Sequence, residues 1–162
     1  MKNGKIDLIN ILKYLMVLVL VMYVVFLISR EGSSDVPVDT IEKNITKVMK
    51  MKGMSKGSAQ DLKKYYGLNA NDYDGVMLYI PNDVMSVNEV LVVKVKDESQ
   101  IEDIEKAVQT RLDTQKKSFE GYGVEQTKLL RSAVVESKGS YTILVVSKDA
   151  DKIDEAFRKS IR

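Results

Sequence analysis

The chain has 162 residues, 44% hydrophobic and 30% charged, which is enough for one packed domain plus an appendage. Its 25 basic and 23 acidic residues leave a net charge of +2, so the basic footprint of a nucleic-acid binder is missing. With no Cys and no His, the sequence excludes disulfides, Cys/His zinc sites, Cys nucleophiles and His general bases.

Residues 1–8 read as a short tail carrying Lys2 and Lys5. From Tyr14 to Ser29 there is no charge, and extending the run back to Ile9 adds only Asn10 and Lys13 as polar interruptions. That is about 20 residues, enough helix to match a hydrocarbon core of ~30 Å. Lys13 stands near the head of the run, where its ammonium can snorkel to headgroups, and Tyr14 is placed for an interfacial belt. The run is too long for a buried strand of about 4–8 residues. A cleavable signal peptide is the sharper rival, with Gly32-Ser33-Ser34 as a small-residue site. Its apolar region would span about 7–15 residues, and here Arg30-Glu31 intervenes before that site. The reading is a retained, single-pass transmembrane helix over residues 9–29 and a polar linker over 30–37, followed by a domain over 38–162. Lys2, Lys5 and Lys13 precede the span, whereas Arg30 stands alone after it, followed by Glu31, Asp35 and Asp39. The positive-inside bias therefore places the tail in the cytosol and the domain outside.

In the domain, Val38, Ile41, Ile45, Val48 and Met49 recur at helical spacing. The opposite face carries Lys43, Lys47 and Lys50, continued by Lys52 and Lys56. This face is either an ordinary solvated surface or a contact for anionic lipid or wall polymer. A short helix is predicted at 58–67, with Ser58 and Asp61 as a capping box and Gly67 as its stop. "NANDYDG" invites a calcium reading, but with Gly75 in the sixth loop position the first ligand would be Ala70 and the twelfth Pro81, so the segment is a turn. "GVMLYIP" and "NEVLVVKVKD" are strands, the first ended by Pro81. A long helix follows, striped by Ile101, Ile104, Val108, Leu112 and Phe119 and stopped at Gly121. "VEQTKLLRSA" is a short helix, "SAVVESKGSYTILVVSKD" a hairpin turning at Lys138-Gly139-Ser140, and "ADKIDEAFRKSIR" the final helix.

"VKVKDESQIEDIEKA" resembles "LVVSKDADKIDEAF", with Asp97 matching Asp149 and Ile101 matching Ile153. Each half is strand, strand, helix. The fold expected is α+β: a small antiparallel sheet with helices packed on one face, preceded by the transmembrane helix.

The most distinctive segment is "RLDTQKKSFEGYG". Arg111, Gln115 and Phe119 share one helix stripe close to the core side, and Tyr122 follows the helix stop. Arg111 and Gln115 could hold a carboxylate or an exposed backbone, with Phe119 and Tyr122 as an apolar wall. The structural alternative is that they satisfy a sheet edge and a helix end within their own fold. No residue is expected to be catalytic or to bind metal, and no cofactor is implied.

From about Ala59 to Arg162 the chain resembles a family of membrane-anchored proteins of Gram-positive, mostly spore-forming anaerobes, catalogued as a domain of unknown function, number four-three-five-eight. The resemblance rests on Arg111, Gln115, Phe119, Tyr122, Gly123, Gly139 and Tyr141, then Val145, Val146, Ser147 and Asp149. Members often carry Pro after the Tyr-Gly pair, where Val124 stands here. The resemblance implies an envelope location and a fold; it implies no reaction. Three classes of function remain open. The first is a non-enzymatic binding or assembly module of the cell envelope, held to the lipid bilayer by its anchor and facing an envelope protein or wall polymer. The second is a ligand-sensing or solute-binding domain. The third is a hydrolase working on carboxylates alone, such as Asp72, Asp74 or Glu120.

Overall fold

A computed structural model describes residues 8–29 and 35–162, with side chains over 11–24 and 35–162; residues 1–7 of the tail and 30–34 of the linker lie outside the described residues. The chain divides into two units, Met1–Gly32 and Ser33–Arg162. In the first, helix α1 runs Leu8–Ser29 with Lys13 as its one charged residue. Its apolar side chains from Ile11 to Val24 are exposed on every side of the helix. Among the described residues no helix is long and apolar enough to cross a membrane.

The second unit is built on five antiparallel strands. They are β1 (Met54–Lys56), β2 (Gly75–Pro81), β3 (Glu89–Lys94), β4 (Val134–Lys138) and β5 (Tyr141–Val146), in the order β1-β2-β3-β5-β4. β3 and β5 pair along their whole length, from Glu89 opposite Val146 to Lys94 opposite Tyr141. All six residues of β5 are buried, as are the first five of β3. Successive side chains point to opposite faces, so two strands buried throughout require cover on both faces.

That cover comes from two helix layers. Helices α2 (Val38–Val48) and α6 (Ala150–Ser160) lie on one face, packing Ile41, Ile45, Ile153 and Phe157 against Met77, Val92, Ile143 and Val145. The other face is covered by α3 (Ala59–Tyr66), α4 (Ile101–Phe119) and α5 (Val124–Arg131). There Leu62, Ile104, Val108 and Leu130 meet Leu78, Leu91, Val93 and Leu144. The fold is α+β with an antiparallel sheet, as the sequence predicts, but the expectation of helices on one face is corrected. The physical reason lies in the uninterrupted apolar runs of β3 and β5, which leave no solvent face on the central pair. The two strand-strand-helix units are present, yet the sequence match pairs Val93 with Val145, and these two residues belong to opposite layers.

Local signals hold at several boundaries. Ser58 and Asp61 form the capping box on α3, with Asp61 N–H donating to Ser58 Oγ at 3.2 Å and Ser58 N–H to Asp61 Oδ2 at 2.8 Å. Gly67 ends that helix in the left-handed region at φ 72°. The chain enters the domain along a clamp. The buried Tyr141 hydroxyl accepts from Val36 N–H at 2.8 Å and donates to Val36 C=O at 2.6 Å, while Lys94 pairs with Asp35. Strand β1 escapes the sequence reading because it is three residues long and carries no alternating pattern of its own.

Candidate functional site

The stripe Arg111–Gln115–Phe119 runs along α4 on the face turned to the sheet, and the structure divides it. At its start, Glu89 heads β3 with its side chain in the α3/α4 layer, only 1% exposed. Arg111 donates to this carboxylate from Nε, at 3.1 Å to Oε2, and from Nη2 at 3.0 Å. Tyr66, at the end of α3, donates its hydroxyl to Oε1 at 2.7 Å. The Arg111 guanidinium also sits 4.4 Å from the ring centroid of Tyr65. Burial, and then the Glu89 charge, push the Tyr66 hydroxyl well above the usual tyrosine range. Arg111 thus does hold a carboxylate, but one supplied by its own chain, and its fork is filled. Glu89 was not among the candidates read from the sequence. Its signal is a lone acid at the head of an apolar strand, facing an Arg on an apolar helix stripe. Gln115 lies half-buried one turn further along α4.

At the other end the stripe leaves the core. Phe119 is 4% exposed, whereas Tyr122 is 63% exposed, their ring centroids 5.8 Å apart. The chain reverses between α4 and α5 through Gly121, whose φ of +88° favours glycine. Gly123 closes the turn against Phe119: a Cβ there would stand 2.6 Å from the ring's Cδ1. The result is an open cleft of about 540 Å³. It is lined by Phe119, Gly121, Tyr122, Gly123 and Val124, and by Thr127, Lys128, Arg131 and Ser132 of α5 and its end. The sequence candidates Phe119 and Tyr122 meet here; Arg111 and Gln115 are not among its lining residues.

Residues 47–147 match the family model described as a domain of unknown function, DUF4358. The chain belongs to that family. No curated protein and no solved structure matches the chain. The part shared with DUF4358 spans all five strands and contains both the Glu89–Arg111 network and the cleft.

Carboxylates gather at two further places, and at a third Glu42 is held singly. A shallow pocket of about 300 Å³ brings Asp35, Asp39 and Asp74 together with Lys94. On the α2 face, burial opposes ionisation of Glu42. Bonds from Lys56 Nζ at 2.7 Å and from the Tyr79 hydroxyl at 2.7 Å outweigh it, holding the carboxyl below its ordinary range. Tyr79 is pushed up to about 12 by burial and by that carboxylate. Glu136 on edge strand β4 meets Asp154 of α6, with the Arg158 guanidinium forming ion pairs to Glu136 at 2.6 Å and to Asp154 at 2.9 Å. Burial, and then the neighbouring Asp154, raise the Glu136 pKa despite the arginine. Among the described residues no group of three or more His, Cys, Asp or Glu side chains is placed to hold a metal ion.

Two expectations follow from these networks. Arg111→Met leaves the Glu89 carboxylate buried and unpaired, and urea unfolding should show a loss of about 3–5 kcal/mol. Adding Glu89→Leu to it should recover most of that loss; a single variant as stable as the parent would show the pair to be dispensable. Glu136 binds its proton more tightly in the folded than in the unfolded chain. Its contribution to stability is present below the ordinary value of 4.5 and is lost as pH rises through the raised value. Glu136→Gln, which mimics the protonated form, should therefore gain in melting temperature relative to the parent between pH 4 and pH 7.

Proposed function

We propose that this DUF4358 member is a single-pass membrane protein whose extracytoplasmic domain is a non-enzymatic binding or assembly module of a bacterial cell envelope. The observation that carries the tether is α1, a helix over Leu8–Ser29 with one charged residue, whose apolar side chains from Ile11 to Val24 are exposed on all sides. Such a surface is stable in lipid or under a partner, not in water. Lys2, Lys5 and Lys13 against the lone Arg30 favour a cytoplasmic N-terminus. Binding is supported by the cleft, which sets two exposed apolar residues beside two cations at the one place where the α4 stripe leaves the core. An envelope protein or a wall component is the partner class this reading expects.

A second reading is favoured by the pocket of Asp35, Asp39 and Asp74, since carboxylates gathered at one surface are what a hydrolase without His or Cys needs. The two readings separate cleanly. A reporter active only in the cytosol, fused after Arg162, should be silent, and the chain should stay with the membrane pellet through alkaline carbonate washing. Strong reporter activity would reverse the topology, and a released chain beginning at Asp35 would remove the anchor from the account. Purified chain should leave cell-wall fragments uncleaved; cleavage that Asp74→Asn abolishes would establish the hydrolase instead.

A further inference from the structure

We propose that the cleft between the end of α4 and α5 is a ligand site for a small amphipathic anion, an aromatic or aliphatic body ending in one carboxylate. This assignment rests on the binding reading above and names its ligand class. Its apolar lining is made by Phe119, Tyr122 and Val124. Its lining also carries Lys128 and Arg131, three residues apart and so neighbours on one helix face. No acidic side chain lines the cleft. Glu125 and Asp151 lie on the adjoining depression, which shares only Lys128 and Ser132 with it. Neither cation is held by an ion pair among the described residues, in contrast to Arg111 and Arg158. Both cations are exposed, so a carboxylate gains a charge-assisted contact that a neutral ligand lacks, and a cationic ligand would be repelled.

The site is also preformed. Tyr122 is exposed, yet its hydroxyl donates back to the Ser118 carbonyl and its ring rests on Phe119, so the wall keeps one orientation. A wall already in place spares the ligand the cost of ordering it. The volume of about 540 Å³ falls within the range of small-molecule sites.

The chain contains no Trp, so Val124→Trp introduces a single reporter at the cleft rim. The full chain carrying it, in phosphatidylcholine vesicles, is titrated with 4-phenylbutyrate, its neutral amide and 4-phenylbutylamine. The acid should give a saturable change with a dissociation constant about tenfold below that of the amide, and the amine should bind most weakly. Lys128→Gln with Arg131→Gln should bring acid and amide within about twofold of each other. Equal responses to all three compounds, or an acid preference that survives loss of both cations, would overturn the assignment. Equilibrium dialysis of labelled 4-phenylbutyrate against the parent chain repeats the measurement without the reporter, and no saturable uptake there overturns it as well. The titration and the topology assay fail separately: a chain released from the membrane can still bind the acid, and an anchored chain can fail to.

Discussion

The fold of residues 35–162 depends on the pairing of β3 with β5. These strands are largely apolar on both sides, buried at every paired residue but Lys94, and aligned so that each face of the pair presents a largely apolar surface. Neither layer of helices could stand without it, since α2 and α6 on one side and α3, α4 and α5 on the other pack on the same two strands. The outer strands β1 and β4 and the turns are free to be short and polar because they carry little of this burden.

Two buried polar residues intrude on that arrangement: Thr142, whose hydroxyl meets Ser137 Oγ at 3.0 Å, and Glu89, the only charged one of the two. Glu89 begins β3 inside the helix-covered layer, and a buried carboxylate is costly unless it is paired and hydrogen-bonded. Arg111 and Tyr66, from two different helices, satisfy it together, so a requirement set by the strand fixes where α3 and α4 stand relative to it. Hydrophobic contact alone tolerates some sliding between a helix and a sheet; a bidentate arginine tolerates little. This network is best understood as the element that sets the register of the α4 layer, which is why the residue most suggestive of ligand binding in the sequence is engaged inside the fold.

Much of the architecture was legible in the sequence because its signals are local. The capping box of Ser58 and Asp61, the stop at Gly67, the stripe from Ile101 to Phe119 and the turn at Gly139 each depend on a few neighbouring residues. The two-sided cover was also present, in the unbroken apolar runs of β3 and β5. The apparent repeat obscured it, because matching Val93 to Val145 ignores the fact that one residue of phase moves a strand side chain to the other face. Arg111 and Gln115 could not be separated from Phe119 and Tyr122 by spacing, since all lie on or just beyond one helix stripe. Only the position of Glu89, brought from a distant strand, divides them.

That division bears on where a function can reside. Evolution of a binding surface is constrained wherever a side chain also holds the core, and Arg111 does hold it. Beyond Phe119 the constraint relaxes: Gly121 and Gly123 are required by the turn, but Tyr122, Val124, Lys128 and Arg131 face outward and carry no part of the sheet. The family match extends through this turn as well as through the core. A rigid floor supplied by the fold, with a rim free of structural duty, is the arrangement in which chemistry can change without loss of stability. The end of α4 is therefore where the domain can gain a ligand without altering the pairing on which the rest is built.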